Sequence, residues 1–300
     1  MKILVTGATG FVGFHMVKRL VADGHQVVAI VRPDYHLDKL QGSITGNHLR
    51  VERHNGSTEN LIQLMEDIKP ETVFHFASLF LSQHHYKDIE SLVQSNILFG
   101  TQLAESSVSS GVKYFINTGT SWQHYNNNVY NPACLYAATK QAFEAVLKYY
   151  TETTSMKCCT LKLFDTYGPE DSRVKLFTLL KNSYRTNTML KMSPGEQLID
   201  LVYIDDVVDA FYAAWFWLRK HDPKGDIPSF AVSSGNPICL REVVRAYEKA
   251  VGKKMPIVWG GRPYRAREVM IPWNKRSSVP GWTPKVPLAE GIKRMEKGGL

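Results

Sequence analysis

Tyr136 and Lys140 stand four residues apart in the run Tyr-Ala-Ala-Thr-Lys. On a helix that spacing puts both side chains on one face, one turn of about 5.4 Å apart. A free phenol holds its proton up to about pH 10 and exchanges it poorly at neutrality. A neighbouring ammonium favours the phenolate and brings such a tyrosine into the range of acid–base work. A solvated pair on an amphipathic helix fits the same spacing, so its meaning depends on the rest of the chain. The second chemical signal is Gly7-Ala8-Thr9-Gly10-Phe11-Val12-Gly13. Its glycines let a backbone turn tightly and approach a pyrophosphate at the positive end of a helix.

These residues need particular elements to position them. Residues 2–6 are apolar and β-prone, and Val12, Met16, Val17, Leu20 and Val21 recur at helical spacing until Gly24. The glycines therefore lie between a strand and a helix, the context a dinucleotide-binding turn requires. A second strand, Gln26 to Val31, ends in Arg32-Pro33-Asp34. An arginine at this strand end suits a 2′-phosphate, which favours NADP(H), with NAD(H) as the alternative because Asp34 is close. Further strands are expected at Leu49–Arg53, Thr72–Ala77, Tyr114–Asn117 and Cys158–Phe164. Between them, Ser57 or Thr58 caps a helix that Pro70 stops, and long helices run through 96–111 and around Tyr136. Alternation at this spacing predicts an α/β fold, a doubly wound parallel sheet covered on both faces. After Gly168-Pro169 the pattern loosens, although Asp205 is placed to cap an apolar helix through Leu218. The expected organisation is a dinucleotide-binding domain from 1–165 plus 200–233, with a smaller substrate lobe from 166–199 plus 234–300.

Composition narrows the function classes. The 300 residues are 44% hydrophobic and 21% charged, ordinary for a globular chain. Met1 leads directly into a strand-like run with no room for a signal peptide, and no apolar stretch is long enough to cross a bilayer, so the cytoplasm is expected. The net charge of +8 is spread along the chain without a basic-aromatic ladder, which favours small phosphorylated ligands over nucleic acid or a membrane surface. Four cysteines show no metal-ligand spacing, and Cys158 and Cys159 should point to opposite faces of one strand as reduced thiols. His84, His85 and His124 lack a third ligand and read as exposed loop histidines, so no metal is expected.

Taken together these motifs resemble the extended short-chain dehydrogenase/reductase family that modifies nucleotide-linked sugars. The resemblance rests on Thr6–Gly13, Phe74-His75-Phe76-Ala77-Ser78, Asn96, Thr118–Ser121, Tyr136 with Lys140, and Tyr167-Gly168-Pro169. Val202–Val207 and Gly281-Trp282-Thr283-Pro284 complete it. It implies that Thr120 hydrogen-bonds the reacting oxygen, Tyr136 moves its proton, and Lys140 holds the nicotinamide ribose and lowers the tyrosine pKa. It places Gly7, Thr9, Gly10, Phe11, Val12 and Gly13 on the cofactor pyrophosphate, with Arg32, Asn55 and Gly56 toward the adenosine. Phe76, Ala77, Ser78, Asn96, Thr118 and Phe164 would complete the cofactor cleft. Leu79, Ser121, Trp122, Asp165, Arg173, Lys175, Ile199 and Arg262 fall at the substrate.

Within that family the wording of 117–125, 163–169 and 198–201 is most similar to the CDP-4-dehydro-3,6-dideoxyglucose reductases of the abequose-synthase type. Ser121 and Trp122 replace the acid pair that sugar dehydratases carry after the active-site threonine. Asp165 stands where many epimerases have asparagine, and would repel a diphosphate unless it pairs with a cation. Ile199 replaces an arginine that often grips the diphosphate; Arg173 or Lys175 could supply that charge, and Arg262 matches a second such arginine. The resemblance thus implies an NADPH-dependent 4-ketoreductase of a nucleotide-linked deoxysugar, with a 4-epimerase holding NAD as the alternative. A non-catalytic cofactor-binding relative is the third reading. Cys134 is expected to line the cleft. A homodimer is expected through the helices at 89–111 and 136–153.

Overall fold

The computed structural model of the chain describes residues 1–35, 40, 48–275 and 277–297. Its centre is a parallel sheet of β1 (Lys2–Thr6), β2 (Gln26–Val31), β3 (Leu49–Arg53), β4 (Thr72–His75), β5 (Tyr114–Thr120), β6 (Lys157–Leu163) and β7 (Ser229–Val232), in the order β7-β6-β5-β4-β1-β2-β3. Every pairing in it is parallel. That is the doubly wound arrangement, and it follows from strands that are apolar on both faces. Ile3 and Val5 pack into one apolar layer and Leu4 into the other. Cys159 and Cys158 divide in the same way, as their adjacency in a strand predicts.

One face is covered by α1 (Phe11–Ala22) and the long apolar α7 (Ile204–Lys220), whose fully buried Trp215 donates from Nε1 to Thr72 Oγ1 at 3.1 Å. The other carries α2 (Thr58–Ile68), α4 (Phe99–Ser109) and α5 (Leu135–Thr153). Ser57 caps α2 by accepting from Asn60 N. The long helix expected through 96–111 begins earlier: α3 (Ile89–Val93) runs into a π turn, Gln94–Leu98, before α4. The wider winding turns Asn96 fully into the interior.

Asp205 does not cap α7. The N-cap is Tyr203, and Asp205 lies inside the first turn. Its neighbour Asp206 is buried and binds the remote 282–286 segment, accepting Lys285 N and Val286 N at 2.9 Å each, while its carbonyl takes Trp282 Nε1. A helix start that reads as a simple cap is a tertiary clamp, because the carboxylate satisfies backbone donors brought from far along the chain.

Beyond the carboxyl edge of the sheet lie short strand pairs. Asp165–Tyr167 pairs with Leu201–Tyr203, Leu190–Met192 with Ile257–Trp259, and Leu198–Ile199 antiparallel with Ile238–Cys239. α6 (Leu176–Thr186), α8 (Leu240–Val251) and α9 (Leu288–Lys297) pack around them.

Candidate active site

The β1–α1 turn is shaped for close backbone approach. Gly7 has φ +69°, and a Cβ there would sit 2.5 Å from Ala77 N. A Cβ on Gly13 would lie 2.2 Å from the Gly7 carbonyl oxygen. Gly10, the N-cap of α1, offers no side chain, and the first turn holds no acidic residue. The backbone amides at this helix start therefore face the cleft without a competing anion, as a pyrophosphate requires. Thr9 and Val12 flank the turn, and Phe11, the first residue of α1, is buried with its ring against His15. The chain fits a dinucleotide at this place.

The adenosine end of that cleft is set by β2 and β3. Arg32 is exposed after β2. Arg53 holds the loop that follows by donating to the carbonyls of Pro33 and, at 3.1 Å, Tyr35. Asn55 Oδ1 accepts Ser57 N, and the carbonyl of Gly56, at φ +98°, takes Gln102 Nε2.

Three elements bring the reacting groups together. Thr120 ends β5, Tyr136 lies in the first turn of α5, and Lys140 follows one turn later on the same helix. All three are buried, Lys140 almost completely. Thr120 Oγ1 accepts Trp122 N at 3.3 Å, and its backbone N–H donates to Gln123 Oε1 at 2.9 Å. Asn96, turned inward by the π turn, accepts Leu79 N (2.7 Å) and Ser78 Oγ (3.1 Å) and donates to Leu79 O and Thr139 Oγ1. Ser78 is hydrogen-bonded to the Tyr136 phenol. Phe76, Ala77 and Thr118 border the same cleft from the ends of β4 and β5.

The electrostatics correct one expectation. In the protein alone Lys140 does not bring the tyrosine down: burial pushes Tyr136 well above an ordinary phenol, opposed by the Ser78 hydrogen bond. The reason is mutual desolvation, for burial also lowers Lys140 to about 8, against the favourable field of Glu144. At neutral pH Lys140 still carries most of its charge, and the burial of the phenol outweighs it.

Beside Tyr136 opens a cavity of about 890 Å³. Ser121, Trp122, Phe164, Asp165, Lys175, Ile199 and Arg262 line it, seven of the positions expected at cofactor or substrate. Asp165 pairs with Lys175 at 3.6 Å, the cation that makes a carboxylate tolerable here. Arg173 is placed differently: its guanidinium binds Asp171 (2.7 Å) and the Thr166 carbonyl (2.9 Å) and lies over Phe11. It braces the loop against α1 and is not part of the cavity wall. Leu79 reaches the site through its backbone bonds to Asn96. Cys134 lines a smaller cavity on the far side of Trp122.

Several functional neighbours escaped the sequence reading. Phe80 meets Tyr136 edge-on at 5.0 Å between ring centroids and Trp122 at 5.6 Å, so it stands between the phenol and the cavity. Arg265 lies over Trp122 and is locked to Glu268 by two hydrogen bonds of 3.0 and 2.6 Å. His84 and His85 are exposed as expected, but His124 is buried and stacked on Trp273 at 3.9 Å. It left the surface because Lys162 offers it a donor in the interior. Glu144 had a detectable signal, one helical turn beyond Lys140; the others depend on contacts far apart in sequence. No group of three or more potential metal ligands occurs among the described residues.

The glycine turn and the Thr120, Tyr136 and Lys140 grouping on this sheet define a class. Residues 3–227 match the model of the NAD dependent epimerase/dehydratase family, and the chain belongs to that family. It is 29% identical over 311 residues to UDP-glucose 4-epimerase of Mycolicibacterium smegmatis, covering 98% of this chain and 97% of that protein. To CDP-abequose synthase of Salmonella muenchen it is 26% identical, covering 98% and 96%. The fold is also that of UDP-glucuronic acid 4-epimerase from Bacillus cereus, solved with UDP-glucuronic acid and NAD (TM-score 0.86, 23% identity, 99% and 98% covered). Among the described residues no helix is long and apolar enough to cross a membrane.

Proposed function

We propose that this protein is an NADPH-dependent reductase acting on the 4-keto group of a nucleotide-linked deoxysugar. A CDP-4-keto-dideoxyhexose made for bacterial surface polysaccharide is the first candidate. The carrying observation is the aromatic wall against the reacting phenol, Phe80 on Tyr136 and Trp122 on Phe80. Carbons next to the carbonyl that Tyr136 serves meet rings there, which suits a sugar lacking hydroxyls at those positions. Arg265 is committed to Glu268 and has little to offer a sugar carboxylate. Ser121 and Trp122 follow Thr120 where a dehydratase needs acids.

A nicotinamide bound in the cleft supplies the hydride. The Tyr136 phenol donates its proton to the sugar oxygen as that oxygen gains charge, and the Thr120 hydroxyl donates a hydrogen bond to it. A phenol held protonated by burial is suited to this direction. Tyr136 recovers its proton from solvent, so each turnover takes up one proton. Lys140 would hold the nicotinamide ribose, and exposed Arg32 would favour the 2′-phosphate of NADPH over NAD(H).

The test is NADPH oxidation by the purified protein with CDP-4-keto-3,6-dideoxyglucose and related 4-keto sugars. Stoichiometric oxidation with one of them is expected, and none with any of them would end this reading. A second reading, a 4-epimerase, is favoured by the 29% identity to a UDP-glucose 4-epimerase. It predicts NAD retained through purification and interconversion of UDP-hexoses without net cofactor turnover. A cytoplasmic homodimer, joined through 89–111 and α5, and a substrate lobe from 166–199 plus 234–300 belong to the same proposal.

A further inference from the structure

Beneath the Thr120 loop lies a buried set of ionisable groups that the proposed reaction does not use. Glu144 of α5 accepts Gln123 Nε2 on one oxygen (2.9 Å) and faces Lys162 Nζ of β6 with the other (3.4 Å). Lys162 also donates to His124 Nε2 at 2.9 Å, and His124 Nδ1 donates to the Asn128 carbonyl at 3.1 Å. That fixes His124 as a neutral ring with its remaining lone pair occupied. Lys162 and Glu144 side chains are 5% and 12% exposed, and Lys140 is 1% exposed.

Two buried ammonium groups thus depend on one carboxylate. Among the described residues Glu144 is the one carboxylate within ion-pair distance of Lys162, and it acts on Lys140 from further away. Both oxygens of Glu144 are already engaged, so the carboxylate acts on Lys140 through space from one turn away. Glu144 of α5 and His75 of β4 act on or feel Lys140, Tyr136 lies one turn before it on α5, and Lys162 of β6 pairs with Glu144. Fully buried His75 is kept neutral by desolvation and by Lys140 itself.

We propose that Lys162 is a positioning residue for Lys140: by holding Glu144, one helical turn from Lys140, it makes that carboxylate a counter-ion shared between two buried lysines. Removing the Lys162 charge should transfer the field of Glu144 to Lys140 and hold its proton to higher pH. Removing the Glu144 charge should do the opposite. A framework role alone gives no reason for opposite signs. The mechanistic consequence rests on the reductase reading, but the titration does not.

The experiment follows the Lys140 side chain by NMR in protein carrying isotope-labelled lysine, without cofactor or substrate, its signal identified by loss in Lys140→Met. The wild type should titrate at about 8. Lys162→Met should move the midpoint up by about one pH unit or more, a tenfold gain in proton affinity, and Glu144→Gln should move it down comparably. Lys162→Arg keeps the charge and should stay near the wild type. Lys162→Gln, which keeps a donor for Glu144 and His124, should reproduce the upward shift if Lys162→Met does not fold. An unchanged midpoint without the Lys162 charge, or shifts of the same sign in the lysine and glutamate variants, overturns the proposal. Failure of every 4-keto sugar to oxidise NADPH would remove the reductase reading and leave this result standing.

Discussion

The hydroxyl of Ser78 lies between the phenol of Tyr136 and the side-chain oxygen of Asn96, bonded to both, the latter at 3.1 Å. Asn96 in turn binds Thr139, whose hydroxyl donates to the Tyr136 carbonyl at 2.8 Å. The tyrosine is therefore held at its side chain and its backbone by one buried amide.

Ser78→Ala removes the hydroxyl that can turn its proton from Asn96 to the phenolate, leaving desolvation unopposed. The midpoint at which Tyr136 deprotonates should rise, and reduction should slow by roughly threefold to tenfold, less than loss of a proton donor. A pH–rate profile compared with NADPH affinity checks this; an unchanged profile with weaker cofactor binding would assign Ser78 to the cofactor alone.

Tyr136→Phe keeps the ring that packs on Phe80 but loses the proton. Turnover should fall by about 10²–10⁴ while NADPH binding, followed by fluorescence, changes little. Unimpaired turnover would remove Tyr136 from the role of proton donor.

Arg32→Asp places a carboxylate where a 2′-phosphate would lie. The ratio of NADPH to NADH dissociation constants should move toward NADH by about tenfold or more, as one lost charge-assisted contact implies. An unaltered ratio means that Arg32 does not read the phosphate.

His124 is 8% exposed and, through burial and Lys162, is held down to about 4 from 6.5. Because the folded value is the lower one, this group's contribution is complete above pH 6.5 and declines as the pH falls toward 4. The loss should be of order 2–3 kcal/mol. His124→Gln accepts from Lys162 without titrating, so urea unfolding between pH 7 and pH 4 should show a flatter acid slope than the wild type.

Asp206→Ala strands the amides of Lys285 and Val286. Donors buried and left without partners cost about 1–3 kcal/mol each; these two are part-buried, so the loss should lie toward the lower end and the melting temperature should drop by a few degrees. Asp205→Ala, in the first turn beside it, should have a far smaller effect.

Much of this was legible in the chain because it is local. Alternating apolar runs and a glycine-rich turn set out the sheet and the cofactor edge, and four-residue spacing put Tyr136 and Lys140 on one helical face. The errors arose where distant segments meet. Asp206 answers to residues about eighty positions away, His124 is drawn inward by a lysine on β6, and Arg173 spends its guanidinium on Asp171. The sign at Tyr136 was missed because spacing conveys proximity but not the loss of water that accompanies it. Phe80 had no signal at all, since a phenylalanine after a strand reads as ordinary packing.

The π turn at Gln94–Leu98 lets one helix meet two demands that regular winding sets against each other. Asn96 is fully buried, whereas Ile89, Val93 and Leu98 on the same stretch are each more than 40% exposed. Deleting a single residue there would rotate everything downstream by about 100° about the axis. The amide would swing off Ser78 while an aliphatic side chain took its place, so this segment should tolerate substitution on its outer side far better than any change in its length.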